Sequence, residues 1–338
     1  MGGTQNARQA VKDLLEGRAP ARPLFLPIVF SLGARIENVP LRTYLSNPTR
    51  IASALRQIRG HLPSDGVTCY FDPFLEAEAL GAALDWESDE GPPQLRWPGG
   101  ATPDRLPAAM RSPDAATNAG RIPVAVEVIR RMKDAVRGSA LLMAGLSGPL
   151  ALASRLLQAN EGGAESRGVM PAAAIEASGA ALGEMARALL EAGADVVLIQ
   201  ERIAAGLEAE RVEDGMSQLR AAINIIRFYE ALPVLLVTAG ETRGPLTAWG
   251  GAASACIVCA EWSEGAKAGM QRTAEAGAAM YGISLPVNAF DGVESQEEDA
   301  GLARTIREVR PALVTTAGDI SRIANLKRLA QLREALVD

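Results

Sequence analysis

The sequence has very few of the residues that build disulfide frameworks. Its 338 residues include only three cysteines, Cys69, Cys256 and Cys259, and a single histidine, His61. Three cysteines are too few for a disulfide framework in a chain of this length, so a disulfide-stapled fold is excluded. His61 stands in the stretch IRGHLPSDG, far in sequence from any cysteine pair. We expect it to be a surface residue at the end of a helix, where a basic side chain is favourable.

Clustered basic residues and long apolar runs are also lacking. The 34 Lys and Arg are scattered among 40 Asp and Glu, and the net charge is −6, so we expect no nucleic-acid partner. No apolar run reaches the roughly 18 residues that a membrane-spanning helix needs. The N-terminal stretch MGGTQNARQAVKDLL is polar and amphipathic, unlike a signal peptide. We therefore expect a soluble cytoplasmic protein without a membrane partner.

What the sequence does contain is a regular alternation of two patterns. Eight apolar runs of strand length stand at 23–30, 66–72, 139–147, 194–201, 232–239, 254–261, 278–286 and 311–318. They are continuous rather than alternating, which is typical of parallel strands covered on both faces. Amphipathic helical patterns such as PTRIASALRQIRGHL and SRIANLKRLAQLREAL stand between them.

This alternation predicts an α/β fold, a (β/α)₈ TIM barrel with an N-terminal helical extension in residues 1–20. We expect residues 1–338 to form a single domain. A doubly wound open sheet is the alternative, and it is disfavoured because no glycine-rich phosphate-binding motif follows any of the strands. Gly193 is the expected C-terminal cap of the helix before the fourth strand.

Two excursions interrupt the regular spacing. Residues 85–120 are rich in Pro, Gly and charge, and residues 158–170 are polar and Gly-rich. Long insertions without regular structure are often lids or binding loops, and these two follow the second and third strands, toward the end of a barrel where active sites lie. A solvated surface loop is the open alternative for both.

Acidic residues follow five of the predicted strands: Asp72, Glu201, Glu241, Glu261 and Asp319. In a barrel all five would lie near one rim, where mutual repulsion raises carboxyl pKa values and suits them to acid–base catalysis or cation binding. N-capping of the next helix is the competing role, and it is strongest for the two aspartates because Glu is a weak N-cap. The catalytic candidates are Glu201, Glu241, Glu261 and Asp72.

The pair in CIVC, Cys256 and Cys259, has the spacing of a metal or redox motif. Inside a strand, however, a step of three residues places the two side chains on opposite faces of the sheet. We therefore expect two buried core thiols, with Cys259 on the same side as Glu261.

Several segments together resemble the uroporphyrinogen decarboxylase superfamily. ARQAVKDLLEGRAPARPLFLPIVF is similar to its opening helix and first strand, and YFDPFLEAEALGAALDW to its second strand and following turn. GRIPVAVEVIRRMKDAVRGSALLMAGLSGPLALASRLL resembles the region of its third strand, LLEAGADVVLIQE its fourth, and AGDI with ANLKRLAQL its last strand and helix. The resemblance covers nearly the whole chain and implies the same barrel.

The superfamily has two main branches. One decarboxylates uroporphyrinogen without a cofactor, and the other moves a methyl group between a corrinoid carrier and an acceptor such as coenzyme M. The segments GRIPVAVEVIRRMKD and SGPLALASRLL are more similar to the methyltransferase branch. That resemblance implies cobalamin or a corrinoid protein as methyl carrier and partner, together with a small-molecule substrate. Whether the chain forms a homodimer stays open.

The chain departs from the methyltransferase branch at its zinc ligands. The family's His-x-Cys pair aligns with Val237 and Ala239, and its last Cys falls near Ala317. Zinc lowers the pKa of an incoming thiol in that branch. We therefore expect no zinc here, and a pterin acceptor or an oxygen- or nitrogen-linked methyl donor instead.

The decarboxylase branch is the alternative, with a polycarboxylate substrate. Its Asp is matched by Asp72, but its arginine-rich N-terminal stretch reads FSLGAR here, with Arg35 one position away. Its Tyr after the third strand aligns with Arg155, which a surface helix would also explain. The cations available for carboxylates would be Arg35, Arg155, Arg202 and Arg243.

The full set of substrate-binding candidates shares a position at or near the strand ends and comprises Arg35, Arg155, Asp319, Asn288 and Trp262. A third reading, outside the enzyme class, is a binding or scaffold member of the superfamily that has lost its catalytic groups.

Overall fold

A computed structural model describes residues 6–89, 91–98, 108, 110–158, 170–202, 207–237, 255–261, 280–287, 296–321 and 323–337. The strands are β1 (Leu24–Phe25), β2 (Gly66–Tyr70), β3 (Ala83–Asp85), β4 (Gln94–Arg96), β5 (Leu141–Ser147), β6 (Val196–Glu201), β7 (Leu232–Val237), β8 (Ile257–Glu261), β9 (Met280–Leu285) and β10 (Leu313–Thr316). Eight of them form one parallel sheet in the order β1-β10-β9-β8-β7-β6-β5-β2, and β3 pairs with β4 in an antiparallel hairpin. Each predicted apolar run contains one strand of the large sheet, so the predicted TIM barrel is confirmed.

The helices alternate with these strands. They are α1 (Ala7–Leu15), α2 (Leu32–Ile36), α3 (Leu41–Leu45), α4 (Pro48–His61), α5 (Leu75–Ala79), α6 (Pro113–Ala116), α7 (Ile122–Val136), α8 (Pro149–Gln158), α9 (Ala172–Ala192), α10 (Ala209–Phe228), α11 (Gln296–Val309) and α12 (Ile323–Val337). Local sequence sets their ends. The Asn47 side chain caps α4 by accepting from the N–H groups of Thr49 and Arg50. Gly193, with φ of 115°, ends α9, as predicted.

The alternating side chains of the large sheet build two apolar layers. One face of each strand packs against the surrounding helices, and the other fills the barrel interior with residues such as Leu141, Val196, Leu232 and Ile257. Helix α1 joins the interior layer through Ala10, Val11 and Leu14. Its Arg8 pairs at 2.9 Å with Asp195, the residue before β6, so α1 covers the end of the barrel where the strands begin.

The cysteine pair follows the predicted parity. Cys256 belongs to the layer facing the helices, and Cys259 belongs to the barrel interior beside Ile257. Both thiols are buried and unbonded to each other. Burial raises the pKa of Cys259, so it stays protonated at neutral pH.

The junction between β1 and β2 departs from the regular ladder. The predicted run 23–30 is a strand only at Leu24–Phe25, because Pro27 has no N–H to donate. Side chains replace the missing bonds: Thr68 Oγ1 donates to the carbonyl of Pro27 at 3.1 Å, and the Asp65 carboxylate accepts from the Phe25 N–H at 2.8 Å. Asp65 also binds both terminal nitrogens of Arg22, at 2.6 and 2.7 Å.

The first excursion has more structure than its composition predicts. The hairpin of β3 and β4 and the helix α6 lie at or within residues 85–120, so the expected absence of regular structure is wrong there. Trp97 explains the hairpin's position, since its indole N–H donates to the carbonyl of Leu156 at 3.0 Å and its ring is buried. Residues 159–169 of the second excursion lie outside the described residues.

His61 is the last residue of α4 and is exposed, as predicted. No helix among the described residues is long and apolar enough to cross a bilayer.

The junction generates a stability prediction. Replacement Asp65→Ala leaves the half-buried Arg22 guanidinium and the Phe25 N–H without their acceptor, and we expect the free energy of unfolding to fall by about 3 kcal/mol. The control is Asp89→Ala, because Asp89 is 62% exposed and pairs with Arg42 at 3.7 Å; we expect a loss below about 1 kcal/mol. Urea unfolding measures both. Equal losses in the two variants would show that Asp65 does not hold the junction.

Candidate active site

A ring of polar side chains lies inside the barrel where its strands end. Alternation places Glu261 on the inner face with Ile257 and Cys259, and strand register pairs Glu261 with Ser284 and Ser284 with Thr315. On the other side of the barrel, Ser147 and Gln200 are paired and lie on the inner faces of β5 and β6. We call these five residues, Ser147, Gln200, Glu261, Ser284 and Thr315, the mouth. The mouth lies over an apolar interior, so it is where a small substrate can meet polar groups.

The hydroxyl groups of the mouth differ in how they are satisfied. Thr315 Oγ1 donates to the carbonyl of Leu26 at 2.7 Å. Ser284 is fully buried, and its Oγ has no hydrogen-bond partner among the described residues. An unpartnered buried hydroxyl costs free energy, so Ser284 is the mouth residue most in need of a ligand oxygen or nitrogen.

A buried carboxyl lies directly behind the mouth. Glu76 of α5 is fully buried and accepts hydrogen bonds from the backbone N–H of Ser147 and, at 3.3 Å, from the Ser147 hydroxyl. Burial raises the pKa of Glu76 to about 7, against the opposing effect of the Ser147 N–H and of the Arg155 cation. Glu76 can therefore exchange a proton near neutral pH, with Ser147 as its link to the mouth.

Arg155 completes this cluster from α8. Its Nη1 donates to the Ser147 hydroxyl at 2.8 Å, and its guanidinium lies 6.0 Å from the centre of the Phe74 ring. Burial lowers the pKa of Arg155, and Glu76, Asp72 and Glu201 oppose that effect. The predicted surface-helix alternative does not describe this side chain, because the guanidinium points into the barrel end.

Glu201 faces the helices rather than the mouth. Its carboxylate accepts from the N–H groups of Leu150, Ala151 and Arg202 at 3.1, 2.6 and 2.9 Å. Glu201 does not cap the next described helix, α10, whose N-cap is Glu208. Its side chain instead reaches the first turn of α8, the preceding helix, from the end of the neighbouring strand. Gly148 leaves room for it, since a Cβ there would collide with the carboxylate.

Burial raises the pKa of Glu201 to about 7, although the three N–H groups favour the charged form. Glu201 and Glu76 are thus two buried carboxyls with similar raised values on either side of Arg155.

Asp72 is held in an ion-pair cluster beside the mouth. Its carboxylate accepts from the Phe74 N–H at 3.0 Å and from Nη1 of Arg121, while Nε of Arg121 donates to Glu78 at 2.7 Å. Arg121 is 5% exposed, and its Nη2 has no partner among the described residues. The charge of Asp72 is therefore largely offset by Arg121.

Asp319 binds backbone N–H groups of the segment that follows β1. Its carboxylate accepts from the N–H groups of Phe30 and Ser31 at 2.7 and 2.9 Å, so it joins the end of β10 to the segment after β1. Whether Asp319 also caps α12 stays open, because residue 322 just before that helix lies outside the described residues. Burial raises the pKa of this carboxyl.

The other predicted site residues are divided between the surface and the undescribed segments. Arg35 is exposed on α2, and Glu261 is half-buried. Glu241, Asn288 and Trp262 lie outside the described residues. Their predicted roles stay predictions.

Two of the positions aligned with zinc ligands are visible. Val237 packs against the layer that faces the helices, and the N–H of Ala317 donates to the carbonyl of Leu285 at 2.7 Å. Among the described residues, no three His, Cys, Asp or Glu side chains come together to hold a metal. Since Ala239 lies outside these residues, the expectation of no zinc stays a prediction.

Six residues of the site were missed by reasoning from sequence: Glu76, Arg121, Ser147, Gln200, Ser284 and Thr315. A signal existed for Glu76, a charged residue in the otherwise apolar stretch FLEAEAL. Ser147, Arg121 and Ser284 have no local signal, because each acquires its role from residues distant in the chain.

The chain is similar to one family of known sequences and to proteins of known structure. The sequence model of the family described as uroporphyrinogen decarboxylase (URO-D) matches residues 6–257. A methyltransferase from Methanosarcina mazei superposes with a TM-score of 0.80 at 18% identity, over 98% of both chains. A B12-independent methionine synthase from Shewanella sp. W3-18-1 has a TM-score of 0.44 at 14% identity, over 63% of this chain and 65% of that one. No curated protein matches the chain.

The raised carboxyl pKa values generate a pH prediction. The pKa of Glu76 rises from 4.5 to about 7 on folding, so the folded protein keeps a proton that the unfolded chain releases in this range. The stability from this proton is complete below pH 4.5 and is lost as the pH rises through 7. Replacement Glu76→Gln keeps the site neutral, and we expect the fall in unfolding free energy between about pH 5 and pH 8 to shrink by up to about 3 kcal/mol.

Urea unfolding across this pH range measures the effect. The matched control is Glu308→Gln, an exposed position on α11, which should retain the wild-type pH dependence. If Glu76→Gln also retained it, Glu76 would not be the group that holds the proton.

Proposed function

We propose a function from one established premise: this chain belongs to the uroporphyrinogen decarboxylase (URO-D) family, whose model matches residues 6–257. The proposed function is that of an enzyme that transfers a methyl group to or from a corrinoid carrier and does not use a zinc-activated thiol. The barrel shared with the Methanosarcina mazei methyltransferase is compatible with it.

The charge of the barrel end carries the proposal. Carboxyl groups outnumber guanidinium groups among the described residues there: Asp72, Glu76, Glu78, Glu201, Glu261 and Asp319 against Arg121, Arg155 and Arg202. A porphyrinogen with eight carboxylates needs several cations around it. An acid-rich site favours a substrate that is neutral or positively charged, as many methyl donors are.

The donors at the mouth suit acid-assisted methyl transfer. The mouth offers one carboxyl group, an amide and three hydroxyls, while the thiol of Cys259 lies deeper and its pKa is raised. A bound cobalamin would supply or accept the methyl group beside the mouth. The residues of this chain would bind the small substrate, keep water out and move its proton.

Glu261 is the proposed acid–base residue. When a methyl group leaves an oxygen or nitrogen atom, that atom keeps the bonding electron pair and needs a proton. The inward carboxyl of Glu261 is placed to donate this proton, and to take one back when the reaction runs toward a pterin nitrogen. Ser284, its neighbour in register, would hold a polar atom of the same substrate.

Arg155 is the proposed positioning residue. Through its bond to the Ser147 hydroxyl it fixes one side of the mouth and keeps Glu76 close to a cation. The proton held by Glu76 would reach the Ser147 side of the mouth through the hydroxyl of Ser147.

Incubation with cobalamin tests the proposal. The full-length chain is mixed with methylcobalamin and candidate pterin or thiol acceptors, or with reduced cobalamin and methoxy or methylamine donors, and the visible spectrum is followed. We expect methyl transfer with at least one non-thiol partner, and a loss of at least about 100-fold in rate for Glu261→Gln. Glu308→Gln should be unchanged. Absence of both cobalamin binding and methyl transfer would overturn the proposal.

A parallel assay addresses the decarboxylase alternative, which rests on the match of Asp72. We expect no turnover of uroporphyrinogen, because the carboxylate of Asp72 is already paired with Arg121. Turnover that fell sharply in Asp72→Asn, with no methyl transfer, would establish the decarboxylase instead.

A further inference from the structure

A second cleft lies at the opposite end of the barrel from the mouth. It has a volume of about 780 Å³ and is formed by the C-terminal parts of α4 and α7, the loops that lead into β2 and β5, and Arg333 of α12. A groove of about 460 Å³ lies beside it between α4 and α7, and Arg56 and Ala135 line both. Neither belongs to the site described above, because they lie where the strands begin.

The cleft carries an excess of positive charge. Its lining includes Arg22, Arg56, Arg59 and Arg333 but only one carboxylate, Asp65. That carboxylate is already bound by both terminal nitrogens of Arg22. Among the ion pairs of the described residues, none involves the other three arginines. Three uncompensated guanidinium groups thus face one cleft in a chain whose net charge is −6.

Helix ends do not explain this cluster. Arg59 lies in the last turn of α4, where a cation offsets the partial negative charge of the helix terminus. Arg56 lies one turn earlier in α4. Arg333 lies before the last turn of α12, and that last turn contains no basic residue. Nε of Arg333 is covered and has no acceptor among the described residues. Two of the three cations therefore lack a structural role there.

The geometry suits a phosphate. Arg56 and Arg59 are three residues apart, so their side chains project from one side of α4. Arg59 is oriented by its Nη2, which donates to the Ser139 hydroxyl at 2.8 Å. A guanidinium group can donate two parallel hydrogen bonds to two oxygens of one phosphate. A monatomic anion such as chloride cannot accept this pair of bonds.

The opposite wall of the cleft is apolar. Helix α7 exposes Ala135 to the cleft above the buried side chains of Met132 and Val136, and the volume exceeds that of a bare phosphate. We propose that this cleft binds a phosphate-bearing small molecule, with the phosphate on Arg56, Arg59 and Arg333 and the organic part against α7. The site is separate from the mouth and does not depend on the proposed methyl transfer.

Isothermal titration calorimetry at constant ionic strength tests the proposal, with phenyl phosphate and inorganic phosphate as the probes. We expect saturable binding of both to the full chain, with phenyl phosphate several-fold tighter because its ring contacts the apolar wall. The double replacement Arg56→Gln and Arg59→Gln should weaken phenyl phosphate binding by at least about tenfold.

The matched control is the double replacement Arg304→Gln and Arg307→Gln, an exposed pair with the same spacing on α11. It removes the same charge and should leave the affinity unchanged. An equal loss in both double variants, or no saturable binding to the wild-type chain, would overturn the proposal.

Arg333→Gln provides a second variant if the double variant fails to fold, and unchanged phenyl phosphate affinity in Arg333→Gln would also overturn it. Methyl transfer should proceed in all three variants, so failure of the cleft proposal is distinguishable from failure of the proposed function.

Discussion

The whole arrangement depends on how the sheet closes between β1 and β2. Pro27 shortens β1 to two residues, and a short strand leaves backbone N–H groups without ladder partners. Two carboxylates accept hydrogen bonds from these N–H groups. Asp65 accepts from Phe25 within β1, and Asp319 accepts from Phe30 and Ser31 after it. Asp65 links β1 to the start of β2, and Asp319 links the segment after β1 to the end of β10, so the two outermost strands of the sheet come together and complete the barrel that carries the mouth.

Other buried carboxylates around the barrel end also accept hydrogen bonds from backbone N–H groups, and this determines which groups there can exchange protons. Glu201 holds the first turn of α8, and Glu76 holds the backbone of Ser147. Each is buried as a consequence, and burial raises its pKa toward neutrality. Carboxyls placed for structural reasons thus become groups able to exchange protons. Glu261 differs, because strand parity points it inward to the substrate space.

The sequence predicted the barrel well because the main signals are local. Continuous apolar runs mark strands buried on both faces, and the parity of Cys256 and Cys259 follows from strand geometry alone. The shortening of β1 to two residues was missed, although Pro27 is a local signal for it. The site was harder, because its partners are distant in the chain. Glu76 meets Ser147 across 71 residues and Glu201 meets α8 across about 50, so no window of sequence contains either contact. The rule that Glu is a weak N-cap gave no hint that Glu201 would reach a different helix.

The pairing of β1 with β10 has a consequence for biosynthesis. Hydrogen bonds between the two regions join residues 288 or 289 positions apart. During translation the first strand therefore leaves the ribosome long before its neighbour exists. Until residues 313–316 emerge, the growing sheet keeps two unprotected edges and an uncovered inner face, the conditions under which nascent chains aggregate or recruit chaperones. The order of strands around the barrel thus makes the synthesis of β10, rather than that of β1, the step that completes the folded barrel.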